Sequence, residues 1–441
     1  LLALLFLPAA AGAQGAQATP PPPVPLTAAV PPERPLRVLT LADAVKMASE
    51  KNREVEKARE YQKWVQGRYV EERAAALPRF SLDAGATRNL DGSLQAIFGD
   101  LFPAQQTQKT ADLSVAQTLF AWGKVGAAIR AAEVGIEVAD ERLEGVRQAT
   151  VQEVTAAFYD VLLARELEQI TLEVLAQRER QLAEAEQRAV LGTATDYDVL
   201  AARVARDNAK PETVRLAGVV RSAIDRLRLL LAEETSRLDV SGTLETGLDE
   251  PEPFESALAV ALASRPDLRA LARTADVYRE VVRIRAADDK PRLDLAAAAG
   301  WKWLDAGPIA ADGKTWSAGL YFSFPFFDGL ATRGRVAQAE SDLTIAELDY
   351  AQARLGVAVE VRSAIDDVRV AAEIARGLGG TVDQARRLFQ MAEQGQELGV
   401  KTRLDVDDAL LNLRQAEGSF ARARRDYLVA RSRLLYAQGL L

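Results

Sequence analysis

Two stretches of the chain, LGTATDYDVLAARVARDNA at residues 191–209 and LGVKTRLDVDDALLNLRQA at residues 398–416, write nearly the same phrase 207 positions apart. Neither holds a residue suited to catalysis. Each reads as a tight turn between two very long helices, because an apolar, proline-free run precedes it and a second run at helical spacing follows. Turns of this kind gathered around one axis would form the mouth of a tube.

The repeat widens outward from the turns. The same offset carries Ala127–Leu231 onto Gly334–Gln438 without a gap, and an offset of 213 carries Leu41–Ala86 onto Phe254–Ala299. Glu133 and Glu340, Glu153 and Glu360, Asp160 and Asp367, Gly192 and Gly399, and Asp198 and Asp405 then coincide. The chain is a duplication. Its expected organisation is a secretory signal at 1–13 whose start is truncated, a proline-rich lead at 14–38, a first repeat at 39–232, a linker at 233–252 and a second repeat at 253–441.

Each repeat reads as one helix, two strands, a long helix, the quoted turn and a second long helix. The first helices span about Leu41–Leu77 and Phe254–Asp289, each ending just before a proline. In the long helices Val151, Val154, Phe158 and Val161 recur at three-and-four spacing, as do Ala358, Val361, Ile365 and Val368, with Val220, Ile224, Leu227 and Leu231 continuing after the turn. Such stripes with charged flanks predict coiled-coil packing. No proline falls between Gly126 and Leu191, so that helix extends over some 65 residues, or ~100 Å. Pro211 and its counterpart Gly418 weaken the second helix of each hairpin, either as a bend or as a tolerated irregularity.

The strands alternate. Phe80, Leu82, Ala84 and Ala86 interleave with Ser81, Asp83, Gly85 and Thr87; Ala111, Leu113 and Val115 with Asp112, Ser114 and Ala116. Leu293, Leu295 and Ala297 follow the same rule, as do Trp316, Ala318, Leu320, Phe322 and Phe324. Period two with one apolar face, over about ten residues, suits a tilted strand crossing an outer membrane. Four strands cannot close a barrel, which needs at least about eight. Trp301, Trp303 and Trp316 gather near the last strand loop, where they suit an interfacial aromatic girdle, the alternative being the core of a soluble sheet.

Composition excludes much else. There is no histidine and no cysteine, which removes thiol nucleophiles, Ser-His-Asp triads, disulfides and His- or Cys-ligated metals. No cofactor or metal site is expected and the chain is not read as an enzyme. A net charge of -8 argues against nucleic acid as a partner. LLALLFLPAAAGAQ at the start has the apolar core and the Ala11-Gly12-Ala13 cleavage pattern of a secretory signal.

The duplicated plan, and the phrases LFAWGKVGAAIRAAE (119–133) and PFFDGLATRGRVAQAE (325–340) that follow the second strand of each repeat, resemble the TolC-type outer-membrane efflux proteins. The resemblance implies a mainly α fold with a small transmembrane β part: a homotrimer whose twelve pooled strands form a barrel in outer-membrane lipid of a Gram-negative-type cell, above a periplasmic helical barrel. It implies an exit duct for efflux or type I secretion, docked onto a periplasmic adaptor and an inner-membrane transporter. It places a pore constriction at Asp405 and Asp408, although an acidic residue in a first helical turn also simply complements the helix dipole. It further implies a gate lock between the coils, with Lys401 at the basic position, Asp198 as its acidic partner and Gln396 where the family has a tyrosine. The rivals are a secreted coiled-coil scaffold, an adaptor, which would show one hairpin rather than two, and a carboxylate enzyme, which would need an aromatic cleft.

Overall fold

The computed structural model describes residues 36–90, 105–234, 237–306 and 309–441. The signal and most of the proline-rich lead lie outside the described residues. Three residues of the stretch read as the proline-rich lead, 36–38, belong to β1 (Leu36–Leu39), which pairs in parallel with β4 (Arg237–Val240). The stretch read as a linker, 233–252, therefore carries a strand and supplies Leu238, Val240 and Leu244 to a buried core.

Each expected first helix is two helices. In the first repeat α1 (Leu41–Lys51) and α2 (Arg53–Ala74) meet at Asn52, and in the second α5 (Phe254–Ser264) and α6 (Pro266–Ala286) meet at Arg265. Asn52 and Arg265 take an extended backbone, which interrupts the i→i−4 ladder. Asn52 then restarts the helix by accepting from the Glu54 amide at 2.8 Å, while Pro266 restarts the other with its φ already set for a helix.

The hairpins are as long as expected. α3 (Lys124–Val190) and α7 (Ala331–Glu397) each run 67 residues; α4 (Asp196–Leu230) and α8 (Arg403–Ala437) return for 35. α4 and α8 pass through Pro211 and Gly418 without a break in the helix. At Gly418 a Cβ would meet Leu167 of α3 at 3.4 Å, an ordinary contact, so α3 and α8 lie side by side there.

The two largest cores among the described residues, one per repeat, lie where the short helices cross the hairpins. Val154, Phe158, Val161 and Leu227 are buried with Met47, Leu39 and Leu231, while Val361, Ile365, Val368 and Leu434 are buried with Ala261, Leu268 and Tyr427. Val154, Phe158, Val161 and Leu227 map onto Val361, Ile365, Val368 and Leu434 at the offset of 207, so the predicted stripes do face the core. Fully burying a side chain such as Phe158 contributes roughly 2–3 kcal/mol.

β2 (Arg79–Leu90), β3 (Gln105–Phe120), β5 (Arg292–Ala306) and β6 (Ile309–Ser323) form one antiparallel sheet in the order β2-β3-β5-β6. The two repeats join at the β3–β5 pair.

Candidate functional site: a two-faced sheet and two helix tips

Register decides what the sheet can do. Leu82 pairs with Leu113, Leu113 with Ala299 and Ala299 with Trp316; one step along, Phe80, Val115, Ala297 and Ala318 align. Every alternating apolar position of the four strands therefore falls on one face, and a slip of one residue in any strand would reverse it. That face is bare: Phe80 is 67% exposed, Leu82 77%, Leu320 64% and Phe322 69%. The opposite face carries Ser81, Asp83, Asp112, Ser114, Asp294 and Ser323, tied by Ser81–Ser114 at 2.6 Å and Thr118 donating to Asp294 at 2.8 Å. No helix among the described residues is long and apolar enough to cross a membrane.

Trp301, Trp303 and Trp316 all lie on the apolar face, near the β5–β6 end. Trp301 donates its indole N–H to Asp312 at 3.0 Å, and Lys314 and Lys109 stand opposite Trp301 and Trp303. Aromatic and charged groups thus begin together, where an apolar band would end. A second aromatic belt at the other end of the strands went unread: Phe80, Phe120, Trp122, Phe322, Phe324, Phe326 and Phe327 are all at least half exposed. Its signal is present in LFAW and FPFF, at the passage from strand to helix. There the chain turns through two residues of positive φ in each repeat, Trp122-Gly123 and Gly329-Leu330, with the glycine displaced by one position between them.

The quoted turns form the far ends of the hairpins and share one mechanism. Gly192 (φ 71°) and Gly399 (φ 73°) adopt the left-handed conformation that closes a helix, and the amides of Thr193 and Val400 bond back to Arg188 and Gly395. Thr195 and Thr402 then open the next helix with reciprocal boxes: Thr402 Oγ1 donates to Asp405 Oδ2 at 2.7 Å and accepts from the Asp405 amide at 3.2 Å, and Thr195 and Asp198 do the same at 2.7 and 3.3 Å. These bonds, backbone and side chain together, hold both carboxyls below the usual aspartate range. The repetition of Asp198 and Asp405 is thus accounted for by capping.

The remaining predicted site residues are placed as follows. Asp408 is exposed, and three residues from Asp405 it shares a helix face with it. Lys401 and Asp198 are not joined within the chain: Lys401 Nζ lies 3.6 Å from Asp405 Oδ1, and its stem lies over Gly395. The cation whose field reaches Asp198 is Arg403. Gln396 is exposed, and its carbonyl accepts from the Gly399 amide at 3.0 Å. Sequence reasoning passed over Asp407, which turns inward to Arg178 of α3. It is the lowest rung of a ladder between the repeats, followed by Arg414–Glu173 at 2.7 Å, Arg424–Glu166 and Arg425–Asp160.

The family model described as "Outer membrane efflux protein" matches residues 44–233 and 257–440, one span for each repeat. The chain is 25% identical over 385 residues to outer membrane protein TolC of Escherichia coli strain K12, covering 84% of this chain and 76% of that protein. It is 28% identical over 296 residues to the alkaline protease secretion protein AprF of Pseudomonas aeruginosa, covering 64% and 62%. The crystal structure of the Campylobacter jejuni CmeC outer membrane channel superposes with a TM-score of 0.76 at 16% identity, over 90% of this chain and 85% of that one.

Proposed function

This chain belongs to the outer membrane efflux protein family, an outer-membrane protein with helices extending into the periplasm, and from that premise we propose that three copies build one exit duct. The supporting observation is the sheet: an exposed apolar face, a polar reverse, and two outer strands, β2 and β6, each with no partner on one side among the described residues. In lipid an open edge leaves backbone groups unsatisfied, so β6 of one copy must pair with β2 of the next until the ring closes. Three copies of four strands give twelve, with the apolar face toward lipid, the polar face toward the lumen and the Trp301, Trp303 and Trp316 cluster as one aromatic girdle. The exposed stripe Ile345, Leu348, Leu355 and Val359 on α7 would then meet Trp64 and Val70 on α2 of the neighbour. Purification in detergent should give a heat-modifiable trimer that conducts ions in planar bilayers. A monomer that stays soluble without detergent and never conducts would overturn the reading.

Substrates would cross this duct passively, delivered at the helix tips by a periplasmic adaptor and an inner-membrane transporter. Asp405 and Asp408 of three copies would surround the entrance and favour cations. The Asp405→Ala, Asp408→Ala double variant should lose cation selectivity and divalent block. Since Lys401, in the turn, pairs with Asp405 just after it, the lock on the closed mouth would run mainly from Arg403 to Asp198, with Lys401 and Gln396 beside it. Arg403→Ala should raise open probability more than Lys401→Ala, and no rise in either would remove the lock.

A further inference from the structure

Just below the sheet, α2, α3 and α6 lie side by side and border an open cavity of about 970 Å³. Tyr61 and Arg68 of α2 form one wall and Tyr278 and Val281 of α6 the other, over a floor of small residues on α3 that includes Ala128 and Gly135. The reverse of α3 is taken up by ion pairs to α6. Arg130 donates to Glu280 at 2.8 Å and Glu137 accepts from Arg273 at 2.9 Å, each two positions on from a floor residue and so about 200° around the helix. The cavity also reaches Thr118 and Ser323, which share the polar face of the sheet with Asp294. It therefore opens on the side that a closed barrel turns toward its lumen, and residues of one chain complete it.

Its charge runs against that of the chain. The net charge of the whole sequence is -8, yet five basic side chains and only two acidic ones, Glu72 and Asp288, border this cavity. Asp288 is already held by Lys124 at 2.6 Å and by Arg335 at 3.4 Å. Arg68 and Arg142 are different, since among the described residues neither is paired with a carboxylate. Arg142 donates to the Tyr61 hydroxyl at 3.3 Å and lies 5.9 Å from the centre of that ring, while Arg68 lies 5.9 Å from the centre of the Trp64 ring. Their planar guanidinium forks are thus held on aromatic faces with N–H donors left for an acceptor from outside. Apolar walls, a few convergent polar groups and a volume of this size are what a small-molecule site requires. Asp405 and Asp408 stand at the far ends of the helices, so an anion entering from the sheet end meets this basic cavity before it meets them.

We propose that this cavity binds small planar aromatic anions, carboxylates or sulfonates, with the ring between Tyr278 and the α3 floor and the anionic group on Arg68 and Arg142. Equilibrium dialysis of 2-naphthalenesulfonate against the full-length protein in lipid nanodiscs, with empty nanodiscs subtracted, should show saturable binding. The matched cation, 2-naphthylmethylammonium, should not saturate, because the lining repels it. Arg68→Gln, Arg142→Gln together should weaken binding of the sulfonate about tenfold. Both side chains are exposed and neither gives up an ion pair, so the double variant should assemble as the parent does. The comparison of anion with cation is made on the unaltered protein and stands whatever the variant does. A parent that shows no saturable binding, a cation that binds as well as the anion, or a folded double variant that holds the sulfonate as tightly as the parent would each overturn the site. That the cavity faces a lumen rests on the duct reading, whereas the binding does not. A parent that never conducts in planar bilayers therefore sinks the duct and leaves the cavity to be decided by dialysis.

Discussion

The two interrupted helices answer one structural need with different chemistry. Asn52 donates from Nδ2 to the carbonyl of Leu230, the last residue of α4, at 2.8 Å; Arg265, at the equivalent position, donates from Nη1 to the carbonyl of Ala437, the last residue of α8, at 3.3 Å. Both satisfy an orphan carbonyl at a helix C-terminus, which is the shared requirement. Only Arg265 adds ion pairs, to Asp267 at 2.7 Å and to Glu360. The first repeat carries Glu54 and Glu153 at the positions of those acids, so the acidic frame is common to both repeats and the cation is not. Fastening the end of the hairpin is what the duplicated fold demands, and charge is an optional addition.

The largest test of this comparison is Arg265→Ala. Its side chain is only 10% exposed, whereas Asp267 and Glu360 are more than half open to water, so the loss should sit near the low end for buried pairs, about 2–3 kcal/mol, measured by denaturant unfolding in detergent. Burial opposes the Asp267 carboxylate, but the hydrogen bonds and charge of Arg265 outweigh it and hold the carboxyl below its usual range. A carboxyl with a lowered folded pKa stabilises above its unfolded pKa and loses that contribution as pH falls through the folded one. Acidification from pH 5 toward pH 2 should therefore erode the parent more than the Arg265→Ala variant. Asn52→Ala should cost less, about 1–2 kcal/mol, because one neutral cap and one hydrogen bond are lost. Gly192→Ala and Gly399→Ala should each cost about 1 kcal/mol and match one another, since both positions have positive φ and neither added Cβ meets an atom within 4 Å. Smallest of all, Asn52→Arg should change stability by less than about 1 kcal/mol, since Glu153 and Glu54, the latter now paired with Lys57 at 2.8 Å, occupy the positions of the two acids that hold Arg265. A loss as large as that of Arg265→Ala would show that the two kinks are not interchangeable.

How far each feature could be read from sequence follows the range of the forces that make it. The long hairpins were legible because their stripes repeat locally and again at a fixed offset, and the sheet faces because alternation leaves one register that puts Leu82, Leu113, Ala299 and Trp316 together. The kinks were not, although Pro266 marks one of them: Asn52 is an ordinary residue within a helical pattern, and its role depends on a carbonyl 178 positions away. β1 pairs with β4 across some two hundred residues, and four residues of strand carry no local signature. At the tips, sequence located the turns and singled out Asp198 and Asp405, but the capping boxes take up one oxygen of each carboxylate. The inter-repeat ladder was hidden because Arg178 and Asp407 look like any charges on a solvated helix face.

The unpaired margins of the sheet carry a genetic consequence. If three copies share one wall, a subunit with a proline set into the middle of β6 fails at its own seam and at the seam its neighbour needs. In a cell making damaged and intact chains in equal amounts, random assembly would leave roughly one pore in eight free of the damaged kind. Such an allele would be dominant over the healthy gene beside it.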